Sequence, residues 1–101
     1  MTRAPQHLEA RTREWMNRLI KGFDFEERHL MVLSLAGQAW DRLTVIREIL
    51  AVEGVRAADR FGTMKPHPLL AEERATMKTF AALLRELGLD LEAETPRIPH
   101  R

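Results

Sequence analysis

Helix-breaking residues between two long helical patterns constrain the fold of this chain more than any other feature. The segment 54–68 contains two glycines and two prolines, whereas the segment 25–53 contains no proline and one glycine, Gly37. Proline cannot continue a helix because it lacks a backbone N–H and its ring clashes with the preceding turn. The sequence therefore predicts a long helix, a non-helical connection and a further helix.

Two helices are predicted before this connection. The first runs roughly from Leu8 to Lys21, starts after Pro5 and ends at Gly22, since its apolar side chains recur with helical spacing. The second runs from Phe25 to Glu53 and would span about 43 Å. Asp24 is predicted to cap it, with Glu27 completing a capping box. Gly37 costs about 1 kcal/mol relative to alanine unless it permits close backbone packing.

The connection, residues 55–68, is predicted to be an extended, basic strap because its glycines and prolines interrupt helical periodicity. Pro68 then suits the first position of a third helix, and Gly88 suits the left-handed position that follows the helix end. His67 lies between two prolines, and we expect a conformational role for it, such as capping this helix. The resulting fold class is all-α: a helical hairpin with a long second helix, an extended Gly/Pro strap, and a third helix.

Size favours oligomerisation of a single domain. A chain of 101 residues buries only about 60 to 65% of its extended surface, so a helical monomer would be marginally stable. A long second helix with apolar residues on more than one side fits the same expectation. We expect one helical domain over residues 1–91 and a flexible C-terminal tail over residues 92–101, which are polar and contain proline.

The composition restricts the compartment and the kind of partner. Cysteine is absent, and no apolar run is long enough to cross a bilayer, so we expect a cytoplasmic protein that does not bind membranes. The net charge of +1 is unevenly distributed. The segment 1–22 is mainly basic, and the segment 86–95 contains four acidic residues and no basic one.

Motifs for catalysis are lacking. The four histidines do not have the one-turn spacing of a helical metal site, and no glycine-rich phosphate loop is present. Paired carboxylates lie in predicted first turns, where the helix dipole explains them. We expect no enzyme activity, no metal site and no cofactor.

The order and spacing of several short motifs resemble one family of small terminase subunits, the DNA-recognition components of tailed-phage packaging motors. These motifs are Asp59-Arg60-Phe61-Gly62, Lys65-Pro66-His67-Pro68 and Arg85-Glu86-Leu87-Gly88-Leu89-Asp90, with Ala4-Pro5, Trp15 and Trp40-Asp41 upstream.

The resemblance covers nearly the whole chain. It implies a ring-forming helical subunit in the cytoplasm of a bacterial host cell. This subunit binds double-stranded DNA and recruits or regulates a large terminase subunit carrying the ATPase and nuclease. Many family members have a further basic segment before the position of Ala4-Pro5, and only three residues precede it here. This difference implies weak DNA binding with little sequence preference, as in a prophage or gene transfer agent.

Basic residues of the first helix have two interpretations. Arg11 and Arg18 are seven residues apart and share a helix face, which fits contact with DNA phosphates. Alternatively, they form the solvated side of an amphipathic helix, in part paired with Glu14. The candidate DNA-binding residues are Arg3, Arg11, Arg13, Arg18, Lys21, Arg56, Arg60 and Lys65.

Other residues are candidates for protein contacts. The acidic C-terminal segment does not favour DNA, so docking to the large subunit is assigned to Leu89, Asp90, Leu91, Glu92 and Glu94. Trp15 and Trp40 have either a partner-binding or a core role. The candidate oligomer interface on the second helix consists of Leu33, Trp40, Leu43, Ile46 and Leu50. A helical interaction or regulatory adaptor, similar to an antitoxin and without a packaging role, is the alternative function.

Overall fold

The computed structural model describes residues 3–89, which form three helices and one short antiparallel sheet. The fold is therefore mostly helical, and the all-α prediction needs correction for a two-stranded sheet. The elements in chain order are α1 (Ala10–Gly22), α2 (Glu27–Glu53), β1 (Arg56–Ala58), β2 (Met64–Pro66) and α3 (Leu69–Glu86).

The long helix α2 starts two residues later than predicted, and its capping differs from the prediction. Glu26, not Asp24, is the capping residue, and its backbone N–H donates to Nδ1 of His29 over 3.1 Å. The helix ends before Gly54, whose φ of 84° lies in the left-handed region that favours glycine. Continuity through Gly37, as predicted, makes α2 about 40 Å long.

The strap is a β-hairpin. Ala57 pairs with Lys65, and Ala58 pairs with Met64. The turn between the strands is organised by Asp59, whose Oδ1 accepts hydrogen bonds from the N–H groups of Phe61 and Thr63 over 2.8 and 3.0 Å. The prediction of an extended path was right, but the strand pairing was missed because each strand contains only three residues.

The third helix starts at Leu69, one residue later than predicted, and it ends before Gly88 as predicted. Pro68 has helical dihedral angles, and Nδ1 of His67 accepts a hydrogen bond from the Leu69 N–H over 3.0 Å. At the other end, Gly88 has a φ of 72° and the Leu89 N–H donates to the Leu84 carbonyl over 2.8 Å. This is a Schellman ending, so His67 and Gly88 define the limits of α3.

Helices α2 and α3 form the most extensive helix pair, and they run antiparallel on either side of the hairpin. Arg47 Nε lies 3.3 Å from Glu73 Oε2 near the hairpin. Two helical turns further from the hairpin, the rings of Trp40 and Phe80 have centroids 5.3 Å apart. The prediction placed the helical hairpin in the first two helices, whereas the most extensive helix pair is α2 with α3; α1 and α2 pack against each other less extensively.

Helix α1 packs against the first half of α2, where Gly37 permits a close approach. A Cβ atom at Gly37 would lie 3.0 Å from Leu8 Cδ1 and 3.2 Å from Thr12 Cγ2. Asp41 of α2 accepts hydrogen bonds from the Thr12 hydroxyl and the Glu9 N–H, over 2.5 and 2.9 Å. The buried cluster around this contact contains Ala4, Leu8, Met16 and Leu33.

Candidate nucleic-acid interface and partner surfaces

One side of α1 carries exposed basic residues. Arg11 and Arg18 are seven residues apart, and Lys21 lies within about 80° of them around the helix axis. All three are exposed, and no ion pair within residues 3–89 involves them. Glu14 shares this side. The row leaves three cationic groups available to an anionic partner.

Arg13 has a different position. Its guanidinium Nη1 donates to the backbone carbonyls of Gln6 and Leu8, in the turn that precedes α1. These bonds fix the path of the chain before the helix. The structure thus gives Arg13 an internal contact, whereas the other predicted basic residues of α1 point to solvent.

Arg3 joins the basic side of α1 at an open groove of about 880 Å³. The apolar lining of the groove includes Ile20, Phe23 and Phe25, and the two phenylalanine rings stack with centroids 5.6 Å apart. The charged residues that line it are Arg3, Arg18, Lys21, Glu14 and Asp24. This groove combines an apolar floor with a rim of mixed charge.

The hairpin carries the second group of predicted DNA-binding residues. Lys65 Nζ lies 3.4 Å from Asp59 Oδ2, and the Arg60 guanidinium lies over the Phe61 ring at 5.1 Å from its centroid. Arg56 is exposed at the start of β1. Phe61 at the hairpin tip is 78% exposed, so the hairpin presents both cations and an apolar ring to a partner.

Hydrogen bonds within the hairpin turn also affect the acidity of Asp59. The N–H groups of Thr63 and Phe61, together with the Lys65 ammonium, lower the pKa of the Asp59 carboxyl from its ordinary value of 3.8. The charged carboxylate therefore stabilises the turn at neutral pH.

The two basic groups lie in different parts of the molecule. Helix α1 is attached near Asp41, and the hairpin begins after Glu53, twelve residues further along α2. That separation corresponds to about 18 Å along the helix axis. The predicted DNA-binding residues are thus divided into an α1 set and a hairpin set.

The predicted oligomer interface lies largely inside the chain. Leu33, Leu43, Ile46 and Leu50 are buried in the folded monomer, so they cannot contact another subunit without rearrangement. Trp40 is 36% exposed and packs its ring against Phe80, which also contacts Trp15. This aromatic cluster agrees with the core interpretation of Trp15, which is partly buried, whereas Trp40 keeps more than a third of its surface exposed.

A second apolar stripe on α2 lies on the opposite side from these buried residues. Its positions alternate by four and three residues, which is the spacing of a coiled-coil seam. Met31 is 66% exposed, Val45 52% and Val52 87%. The seven positions of this seam are Met31, Leu35, Gln38, Arg42, Val45, Ile49 and Val52. The 4-3 spacing was present in the sequence and would have identified this surface.

The predicted site for the large subunit lies at the end of the described chain. Leu89 is buried, and its N–H completes the ending of α3, so its side chain serves the fold. Asp90, Leu91, Glu92 and Glu94 lie outside the described residues.

His67 connects the two ends of the hairpin. Because Nδ1 accepts from the Leu69 N–H, the proton of the neutral imidazole lies on Nε2. That Nε2–H donates to Oε1 of Glu53 over 2.7 Å. Within residues 3–89 no group of three or more His, Cys, Asp or Glu side chains has an arrangement that could hold a metal ion. No helix in that range is long and apolar enough to span a membrane.

Comparison with protein-family models, with curated proteins and with solved structures finds no match to this chain. The class that the fold defines is a mostly helical domain in which an antiparallel helix pair carries a β-hairpin at one end and a shorter helix packed against the other end of α2.

Proposed function

We propose that this chain is a non-catalytic small terminase subunit of a phage or phage-like packaging motor, such as that of a gene transfer agent. It would bind double-stranded DNA and recruit or regulate the large terminase subunit. The observation that carries the proposal is the row of Arg11, Arg18 and Lys21 on one exposed side of α1, without ion pairs in the described part of the chain.

Phosphate contact is the chemistry that such a row supports. Lysine and arginine side chains bind DNA by neutralising phosphates and releasing counterions, and this contact is independent of sequence. Arg11 and Arg18 lie two helical turns apart, about 10 Å along the axis, so they reach separate phosphates of one backbone. We therefore assign the α1 row to the DNA and expect little preference for base sequence.

Assembly would compensate for the small charge of one subunit. Several copies linked in a ring hold several basic rows against one DNA molecule, which raises avidity without new contacts in any single copy. The α2 seam supplies a surface for this assembly, since five of its seven residues are apolar and four of these five are exposed. Gln38 and Arg42, at its centre, line a shallow groove shared with α3. We propose the seam, rather than the buried leucines, as the subunit contact.

Reconstitution with a large terminase subunit, taken from a gene next to that of this chain where one is present, tests the proposed function. We expect a complex on size-exclusion chromatography and a change in the DNA-dependent ATPase rate when this chain is added. If neither DNA nor a large terminase subunit binds the chain, the packaging role is refuted.

A second candidate is a helical protein-interaction module that does not bind DNA, and the α2 seam favours it. An exposed 4-3 apolar stripe is a docking surface for another helix whatever the basic residues do. In that case the seam variants described below would abolish partner binding, and charge reversal on α1 would have no effect on any activity of the chain.

A further inference from the structure

We propose that the acidic segment 90–95 of this chain docks in the groove beside α1 and competes there with DNA. The inference rests on the proposed function for its consequence, since DNA is the competitor. The docking itself depends only on the groove and on the chemistry of the segment. The segment reads Asp90, Leu91, Glu92, Ala93, Glu94 and Thr95.

Charge complementarity favours this occupant. The segment contains three carboxylates and no basic residue. Arg3, Arg18 and Lys21 line the groove, against Glu14 and Asp24. None of the three basic residues forms an ion pair within residues 3–89. Carboxylates that pair with these basic side chains occupy the same cationic groups that would bind DNA phosphates.

The apolar part of the groove matches the segment as well. Ile20, Phe23 and Phe25 form a floor that an apolar side chain can cover. Leu91 is flanked by Asp90 and Glu92, so an extended segment directs its leucine to one side and both acids to the other. This alternation lets Leu91 face the floor while the carboxylates reach the rim.

The position at which the described chain ends brings the segment within reach. Leu87 packs against the buried cluster that contains Met16 and Leu33, and Ile20 and Phe25 pack against the same cluster. Leu89 is two residues beyond Leu87 and is itself buried. Six further residues span up to about 20 Å when extended. The segment therefore starts beside the cluster whose other edge forms the groove.

The consequence is regulation of DNA binding within one chain. An attached segment has a high effective concentration at its own groove, so even weak docking competes with phosphates. DNA that engages several subunits at once displaces it, and release of the segment makes its carboxylates available to another protein. The acidic segment thereby links DNA binding at α1 to the exposure of a partner site.

A spin label on the segment tests the docking without requiring DNA. The chain lacks cysteine, so Thr95→Cys gives a single attachment point and leaves all three carboxylates in place. We expect selective broadening of the backbone amide signals of Arg18, Lys21 and Phe25. Glu92→Gln with Glu94→Gln should abolish the broadening, whereas Glu48→Gln with Glu72→Gln, which changes the net charge equally, should preserve it.

Three results would overturn the docking. The first is broadening of the groove amide signals that is no greater than that of Val52. The second is broadening that the Glu92 and Glu94 variant leaves unchanged. The third is broadening of the signals of unlabelled chains when they are mixed with spin-labelled chains, which would place the segment on another molecule. DNA titration is the second readout: the Glu92 and Glu94 variant should bind DNA at least about threefold more tightly than the matched control. Equal DNA affinities would refute the competition. Selective broadening without any DNA binding would confirm docking and refute the proposed function.

Discussion

Asp41 of α2 accepts a hydrogen bond from the Thr12 hydroxyl, and the two oxygen atoms lie 2.5 Å apart. The other carboxylate oxygen of Asp41 accepts from the Glu9 N–H at the start of α1. A side chain from one helix thus caps another helix that is distant in sequence. This contact attaches α1 to the pair formed by α2 and α3, and it leaves the basic row on the other side of α1 exposed.

Replacement of Asp41 by alanine should weaken the attachment of α1. The change removes two hydrogen bonds at a helix start, which corresponds to about 1 to 2 kcal/mol of unfolding free energy. Urea denaturation followed by circular dichroism measures it. Asp41→Asn keeps one good acceptor and should lose less, so an equal loss for both variants would contradict the capping role.

Gly37 should tolerate no β-branched side chain. Gly37→Val places atoms against Leu8 and Thr12, and overpacking of this kind costs about 1 to 3 kcal/mol. Gly22→Val is the matched control because nothing lies within 4 Å of a Cβ at that position. Thermal unfolding compares the two variants, and a stability of Gly37→Val equal to that of the control would show that α1 does not pack closely there.

The hairpin turn should lose stability in acid through Asp59. Its pKa is lowered in the folded chain by the N–H groups of Thr63 and Phe61 and by Lys65. A lowered pKa means that the charged form stabilises the fold above the ordinary value of 3.8. That contribution is lost as the pH falls below this value towards the folded pKa.

Amide exchange at Phe61 and Thr63, measured against pH, checks this loss. Asp59→Ala should remove the protection at all pH values. Lys65→Met keeps both N–H bonds to Asp59 and should leave most of the protection intact. Protection in Asp59→Ala equal to that in the parent chain would refute the role of the carboxylate.

Charged residues in the α2 seam should disrupt assembly without unfolding the chain. Val45→Glu with Val52→Glu places two charges on an exposed apolar stripe, so a helix packed against it would bury them unpaired. We expect a shift to the monomer in light scattering at unchanged helix content. Ala51→Glu lies off the seam and is the control. A parent chain that is already monomeric at tens of micromolar would refute the ring.

The sequence predicts most of the fold because the helix limits depend on local chemistry. Gly54, His67 and Gly88 have conformations or hydrogen bonds that follow from residue type and neighbours. The hairpin was missed because strands of three residues have too short an alternation to detect. The start of α2 was misplaced because both Asp24 and Glu26 are plausible caps, and the ring of His29 selects Glu26.

The functional surfaces were harder to predict than the helices. Leu33 and Leu43 were assigned to an oligomer interface, but both side chains are buried in the folded chain. An apolar residue in a helix faces either its own core or a partner, and a single sequence does not distinguish these environments. Arg13 likewise required the structure, since its contact is with the turn before its own helix.

DNA binding by the α1 row tests the proposed function most directly. Arg11→Glu with Arg18→Glu should be compared with Arg74→Glu and Lys78→Glu on α3, which change the net charge equally. We expect the α1 variant to lose affinity for all DNA sequences alike. The slope of the logarithm of the binding constant against the logarithm of the salt concentration should fall by the amount that corresponds to about two phosphate contacts. The α3 variant should bind nearly as well as the parent chain. Equal losses in both variants, or no loss in either, would contradict the assignment of DNA to α1.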